Sequence, residues 1–187
     1  MHVRLKKKIM LLCCVILVGW TTITAYALST SNPLSMTKYT QKYSNWCWAA
    51  CAQMSGNYFG SSYTQSQIVK EIKGSSVNEA ASDREMTLAL QYVTLSTGYT
   101  ASLYGVPVFS VIKRQIVNKH YPVVAKISWD SGGAHAEMIT GTISSSKKVY
   151  LVDPNASNQW VSYSSLKSGV TLNSGTGQIS ATWRFSD

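Results

Sequence analysis

Residues 41–52 read QKYSNWCWAACA, and this stretch decides how the rest of the chain is interpreted. Cys47 lies between two tryptophans and is followed at once by alanines, which is typical of the start of a buried helix. Such a helix would hold Cys47 in its first turn, where free N–H groups and the helix dipole favour a thiolate. Two interpretations follow, core packing or a nucleophilic cysteine, and this stretch alone does not choose between them.

The first 27 residues have the layout of a secretory signal peptide. Basic residues at 4 and 6–8 precede an apolar run at 9–20, and residues 25–27 form an A-x-A cleavage motif. The apolar run is too short to span a bilayer comfortably, so we expect cleavage after Ala27, secretion and no stable membrane anchor. An uncleaved anchor is the alternative. The rest of the chain predicts a short extended segment at 28–40 and one folded domain at 41–187.

Charge and size after cleavage limit the function classes. Removing 27 of the 187 residues leaves 160, the size of a single domain with a substantial core. Four of the 17 basic residues leave with the signal peptide, so the formal charge falls from +9 to +5. The remaining basic residues are scattered, with short pairs such as Lys113-Arg114, as on an ordinary solvated surface. We therefore expect no nucleic-acid partner.

Only Cys47 and Cys51 remain after cleavage, and they stand four residues apart. On a helix they lie one turn apart on nearly the same face, where a disulfide would need distorted geometry. A free thiol in an oxidising compartment needs a functional reason. Cys51, one turn deeper among alanines, is interpreted as a small buried apolar residue.

Helical patterns come first in the chain and strand patterns afterwards. Helices are predicted at 46–58, 65–73, 83–95 and 111–119, with Asn45 or Ser44, then Thr64, Ser82 and Ser110, as their N-caps. Strands are predicted at 122–129, 134–143, 148–152 and 178–185. Segregated helices and strands predict an α+β fold, with a seam between a helical half and a sheet half.

Nucleophilic thiol chemistry also needs a base that takes the thiol proton. Two histidines remain in the predicted domain. His120 ends a predicted helix, where it is expected to cap carbonyl groups. His135 follows Gly132-Gly133 at the start of a predicted strand, and a glycine pair lets other backbone or a substrate approach closely. His135 is therefore the candidate base.

Two further residues complete the set. Asp153 stands 18 residues after His135 at the end of a predicted strand, so an antiparallel pairing would bring its carboxylate beside the imidazole. By itself, the Asp-Pro-Asn sequence there is also typical of a turn. Gln41 stands six residues before Cys47, and its amide could join the Cys47 backbone N–H in an oxyanion hole.

The pieces QKYSNWCWAA, GGAHAEMITG and VYLVDPN together resemble bacterial papain-like cysteine peptidases. The nearest likenesses are the peptidases that process bacteriocin leader peptides and the papain-fold effector peptidases of plant pathogens. The resemblance implies a helical lobe with Cys47 as nucleophile, packed against an antiparallel β lobe with His135 as general base. It implies Asp153 as the orienting acid and Gln41 as the oxyanion-hole glutamine. Plant and lysosomal relatives use asparagine as the third member, so Asn155 stays open as a runner-up.

The leading functional hypothesis is a secreted, monomeric endopeptidase that hydrolyses protein or peptide substrates, with no cofactor and no metal. The alternatives are an acyltransferase or cell-wall amidase with the same triad, or a non-catalytic interaction protein on a papain-like fold. A positively charged exported protein would meet an anionic cell envelope readily, which keeps the cell-wall alternative open.

Overall fold

The structure of the protein, a computed structural model, describes residues 30–187. The predicted signal peptide and its cleavage site, residues 1–27, lie outside the described residues and stay a prediction. Between residues 30 and 187, no helix combines the length and the apolar character that crossing a bilayer requires.

Three helices form one layer of the fold: α1 (Cys47–Tyr58), α2 (Gln65–Lys73) and α3 (Asp83–Thr94). The capping boxes predicted for α2 and α3 are confirmed. In α3 the Ser82 hydroxyl accepts the Glu85 N–H, and the Glu85 carboxylate accepts the Ser82 N–H. Thr64 and Gln67 do the same for α2. Both helices therefore begin where the sequence predicts, because the side chains that bond to the unpaired N–H groups of the first turn lie only three residues away in the chain.

The second layer is an antiparallel sheet. Its strands are β1 (Thr30–Ser31), β2 (Thr100–Tyr104), β3 (Val123–Trp129), β4 (Ala134–Ile143), β5 (Lys148–Val152), β6 (Gln159–Ser162), β7 (Val170–Leu172) and β8 (Gly175–Ser186). The main order is β2-β8-β3-β4-β5-β6, with β1 paired to β4 and β7 paired to β8. The predicted α+β class is thereby confirmed.

Alternating residues of the central strands supply two cores. Val124 and Met138 face α1–α3 and belong to the same core as Trp48 of α1. Ile127 and Ile139 face the opposite side, where α4 (Phe109–Lys113) and α5 (Tyr163–Ser168) cover the sheet. A sheet that is apolar on both faces must be covered on both, which explains the second set of helices.

The structure corrects the boundaries of the fourth helix and of the last strand. Helix α4 begins at Phe109 after Val108, so Ser110 is not its cap. Packing explains the earlier start, because the Phe109 ring lies 5.8 Å from the Tyr163 ring of α5. The helix then continues as a π-helical turn at Arg114–Asn118. Strand β8 starts at Gly175 rather than at 178.

Candidate active site

Helix α1 begins without a side-chain cap. Trp46 occupies the N-cap position and no side chain bonds the first-turn N–H groups. The predicted caps are wrong because both side chains are bonded elsewhere: the Asn45 side-chain amide donates to the Asn78 carbonyl at 2.9 Å, and the Ser44 hydroxyl accepts the Asn78 side-chain amide. The positive end of α1, including the Cys47 N–H, is therefore left for other partners.

The two tryptophans around Cys47 anchor this uncapped helix end. Trp46 and Trp48 are buried, which is the packing role expected of such residues. Their indole N–H groups donate to the carbonyls of Val77, at 2.8 Å, and Glu79, at 3.1 Å. The loop before α3 therefore fixes the start of α1, and with it the position of Cys47.

His135 and Asp153 form a buried pair. Nε2 of His135 lies 2.8 Å from Oδ1 of Asp153, and the same oxygen accepts the Asn155 backbone N–H at 2.7 Å. Burial lowers the pKa of His135, but the interactions with Asp153 and Cys47 outweigh it and raise the pKa to about 10. Burial raises the pKa of Asp153, but the interactions with His135, Ser174 and the Asn155 N–H together outweigh it, so the pKa is lowered. Both shifts favour an imidazolium–carboxylate pair.

Cys47 faces this pair from the helical layer. Its half-buried side chain lines the same pocket as His135, and its interaction with the imidazole contributes to the raised pKa of His135. Because Nε2 is taken by Asp153, Nδ1 is the ring nitrogen left for the thiol. The structure thus brings together the three residues that the sequence singled out from α1, β4 and the end of β5.

The pocket beside Cys47 has a volume of about 360 Å³. Small residues, among them Ala80, Gly133 and Ala136, line it near the thiol. Met86 also lines it, and an ion pair between Asp83 and Lys126, at 2.7 Å, stands at its margin. The cleft therefore has room for a side chain next to Cys47.

Sequence reasoning missed Trp129, which covers His135. The two rings stack with centroids 5.7 Å apart and planes at 21°. Gly177 permits this arrangement, since a Cβ there would lie 2.8 Å from the Trp129 ring and 2.2 Å from the Ser128 carbonyl oxygen. The available signal was a tryptophan at the end of a strand, directly before the turn that leads to His135.

Gln41 lies at the entrance to α1 and is tied to the Asp153 loop. Its backbone N–H donates to the Pro154 carbonyl at 2.9 Å. Its side-chain Nε2 donates to the carbonyls of Tyr43, at 3.0 Å, and Ser44, at 2.8 Å, while Oε1 is buried without a partner. The amide thus holds the loop before the helix, and its predicted part in an oxyanion hole stays a prediction.

His120 lies elsewhere. It is exposed, adopts a positive φ of 57°, and lines a separate cavity with Tyr58 and Tyr99. Its backbone carbonyl accepts the Tyr58 hydroxyl at 2.6 Å. The structure therefore does not bring His120 to Cys47.

Glu137, which the sequence reasoning passed over, is buried beside the pair. Within residues 30–187, the cluster with the composition of a metal site is His135, Glu137 and Asp153, with ligand atoms within 4.8 Å of one another. Two atoms that share a tetrahedral Zn²⁺ stand roughly 3.4 Å apart. The 2.8 Å contact between His135 and Asp153 is shorter and fits a shared proton. The His135–Asp153 contact therefore has the geometry of a hydrogen bond rather than that of two ligands on one metal ion.

Comparison with known proteins finds one matching family and similar solved structures. The model of the Peptidase_C39 like family matches residues 33–173. A crystal structure of a double glycine motif protease from an AMS/PCAT transporter, in complex with the leader peptide, superposes with a TM-score of 0.58 and 16% identity over 82% of this chain and 93% of that one. The peptidase domain of Streptococcus ComA gives a TM-score of 0.49 and 12% identity over 78% of this chain and 96% of that one. No curated protein matches.

These findings confirm the resemblance seen in the sequence. The first structure supports the fold, and the family model spans 141 of 187 residues, from the segment before α1 to the end of β7. The match includes the Cys47 helix, the His135 strand and the Asp153 loop. The chain therefore belongs to the Peptidase_C39 like family and is a papain-like cysteine peptidase.

Proposed function

We propose that the protein is a secreted endopeptidase in which Cys47 is the nucleophile, His135 the general acid and base, and Asp153 the group that orients the imidazole. One observation carries this proposal: His135 is hydrogen bonded to Asp153 at 2.8 Å and lines one pocket with Cys47. A thiol, a base and an orienting carboxylate in that order are the parts that covalent acyl transfer requires.

In the acylation step, Sγ of Cys47 attacks the carbonyl carbon of the scissile peptide bond. The electron pair of the C=O double bond moves to oxygen, which the backbone N–H of Cys47 stabilises. The imidazolium of His135 then donates its Nδ1 proton to the amide nitrogen as the C–N bond breaks. The amine product leaves, and a thioester remains on Cys47.

Deacylation reverses the proton movements. Neutral His135 takes a proton from water at Nδ1 while the water oxygen attacks the thioester carbon. The C–S bond breaks, the acid product leaves, and Cys47 returns as a thiolate beside the imidazolium. Asp153 keeps its charge throughout and stabilises the imidazolium in both half-reactions.

Gln41 is the proposed second oxyanion donor. Both N–H bonds of its amide are directed at loop carbonyls, those of Tyr43 and Ser44. Gln41 would therefore give up or share one of these bonds when the oxyanion forms.

The proposed substrate is a peptide that lies across the seam between the helical layer and the sheet. The pocket of about 360 Å³ beside Cys47 would take one of its side chains. A related fold has been seen with a leader peptide bound, which supports a peptide ligand for this chain too. The basic, apolar layout of residues 1–27 supports export.

Cleavage of an unbiased peptide library by the purified protein tests this proposal. We expect cleavage by the wild type and none by Cys47→Ala. Cys51→Ala is the matched control, because Cys51 is a second thiol one turn along the same helix and is fully buried. Equal cleavage by wild type and Cys47→Ala would contradict the proposal.

A further inference from the structure

Strand pairing puts a second carboxyl beside Asp153. Met138 of β4 stands opposite Val152 of β5, so continuing the antiparallel register by one residue sets Glu137 opposite Asp153. His135 precedes Glu137 by two residues and therefore projects from the same face of β4. The His135–Asp153 pair thus has Glu137 as its direct neighbour along the strand.

Glu137 is enclosed and incompletely bonded. The residue is 0% exposed, and its Oε2 has no partner. The outer oxygen of Asp153, Oδ2, is also buried without a partner. Ser174, in the turn between β7 and β8, donates its hydroxyl to Oε1 of Glu137 at 3.4 Å, and its proximity also lowers the pKa of Asp153. The Ser174 hydroxyl thus interacts with both neighbouring carboxyl groups.

Electrostatics decide which carboxyl carries the charge. Two ionised carboxylates side by side in a buried site repel each other, so one of them holds a proton. Asp153 has the stronger support for its charge, from His135 and the Asn155 N–H. Burial and the charge of Asp153 raise the pKa of Glu137 to about 7. Glu137 is therefore the group that keeps the proton.

The groups that face Glu137 come from every neighbouring element. His135 on β4, Ser174 and the more distant Lys38 favour its ionised form. Asp153 at the end of β5 opposes ionisation. Cys51 of α1 also interacts with the Glu137 charge, which contributes to the raised pKa of that thiol.

We propose that Glu137 is a proton-carrying positioning residue of the active site, and that the enzyme works best while Glu137 is neutral. This inference rests on the proposed function. Neutral Glu137 offers Asp153 a neighbour that does not repel it and leaves the Ser174 hydroxyl to be shared. Ionised Glu137 repels Asp153 and increases the proton affinity of His135. The imidazolium then gives its proton to the leaving amine less readily.

The test compares the pH dependence of the wild type, Glu137→Gln and Glu137→Ala. Glutamine keeps the shape of the Glu137 side chain and a neutral hydrogen-bond donor at its end, whereas alanine removes both. Peptide turnover of the wild type should fall as pH rises through about 7, where Glu137 ionises. Glu137→Gln should keep the turnover seen at pH 6 and lack that fall, and Glu137→Ala should lose turnover at every pH. Glu71→Gln, an exposed acid on α2, is the control and should follow the wild type.

A thermal measurement tests the buried proton without any substrate. The folded-state pKa of Glu137 is raised above 4.5, so its contribution to stability is full below pH 4.5 and is lost as pH rises through 7. The melting temperature of the wild type should therefore fall more between pH 5 and 8 than that of Glu137→Gln.

The two readouts separate the possible failures. Superimposable melting curves and turnover profiles for wild type and Glu137→Gln would overturn the inference. If the wild type cleaves no peptide, the proposed function is contradicted. If the melting temperature of Glu137→Gln then still depends less on pH than that of the wild type, the buried proton of Glu137 is supported all the same. If the melting temperature of Glu137→Gln depends less on pH than that of the wild type but the two proteins have the same pH dependence of turnover, the positioning role is overturned.

Discussion

Nε2 of His135 lies 2.8 Å from Oδ1 of Asp153, although 18 residues separate them in the chain. The contact exists because β4 and β5 are antiparallel neighbours and Asp153 directly follows the last residue of β5. It fixes the imidazole so that its other nitrogen faces Cys47. Sheet register, rather than any local motif, thus builds this half of the site.

Asp153→Ala should lower turnover strongly, whereas Asn155→Ala should leave it nearly unchanged. Removing the orienting carboxylate of a triad costs on the order of 10⁴-fold in kcat. Asn155 contributes its backbone N–H to Asp153, which alanine retains, and the residue is exposed. Steady-state kinetics of both variants decide whether Asp153 or Asn155 is the third residue of the catalytic triad. A larger loss in Asn155→Ala than in Asp153→Ala would reverse the assignment.

Gln41→Ala should lower kcat roughly 10²–10³-fold if its amide supplies an oxyanion donor. Gln65 is a matched control because it also bonds this loop, accepting the Lys42 N–H at 2.9 Å and donating to the Thr40 carbonyl at 2.9 Å. Gln65→Ala should therefore lower the melting temperature with a much smaller loss of kcat. If both variants lose stability alike and Gln41→Ala keeps its kcat, the Gln41 amide serves the loop alone.

Gly177→Ala should damage stability and activity together. The added Cβ would lie 2.2 Å from the Ser128 oxygen and 2.8 Å from the Trp129 ring, so the backbone or the ring must move. Overpacking of this kind costs about 1–3 kcal/mol of unfolding free energy, and moving Trp129 disturbs the ring stacked on His135. Gly105→Ala, where an added Cβ meets nothing within 4 Å, is the control. Chemical denaturation and turnover provide the readouts, and a Gly177→Ala protein with wild-type values would speak against the stacked arrangement.

Glu85→Gln should destabilise the protein at neutral pH but not in acid. The Glu85 carboxylate accepts a hydrogen bond from Lys73 at 2.8 Å, and this bond, with the capping bond to Ser82, lowers its pKa to about 2. A lowered pKa gives stability that is present above pH 4.5 and is lost as pH falls towards 2. Glutamine keeps the capping box, so the loss at pH 7 should be about 1 kcal/mol.

Melting temperatures of wild type and Glu85→Gln between pH 2 and 7 check this prediction, and the two curves should converge in acid. Glu79→Gln is the control, because the Glu79 side chain is 65% exposed and lies 4.0 Å from Lys73. If the difference in melting temperature between wild type and Glu85→Gln stays constant from pH 7 to 2, the charge of the Glu85 carboxylate is not its cause.

The sequence predicts the local features of this fold well. The capping boxes at Thr64 and Ser82 depend on residues three positions apart, so their helices start where expected. The α1 cap fails because Asn45 bonds to Asn78, which is 33 residues away. The strands β6 and β7 are missed because they span only 4 and 3 residues, and β2 is missed because only one of its five residues is buried.

The site divides in the same way. Cys47, His135 and Asp153 could be found because each has a residue type that the chemistry needs and lies at or next to the end of a helix or strand. Glu137, Trp129 and Ser174 could not, since their roles arise from sheet pairing and from a turn far along the chain. One signal for Glu137 was available: an acidic residue within a predicted strand, directly between the apolar Ala136 and Met138.

The central claim, that Cys47 carries the acyl group, is tested most directly by trapping the thioester. The wild type would be mixed with a cleaved peptide, quenched in acid within the first turnover, and measured as intact protein by mass spectrometry. We predict a mass increase equal to the N-terminal cleavage product less one water, mapping to Cys47, in wild type and Cys51→Ala but not in Cys47→Ala. An adduct on Cys51, or peptide cleavage that persists in Cys47→Ala, would contradict the claim.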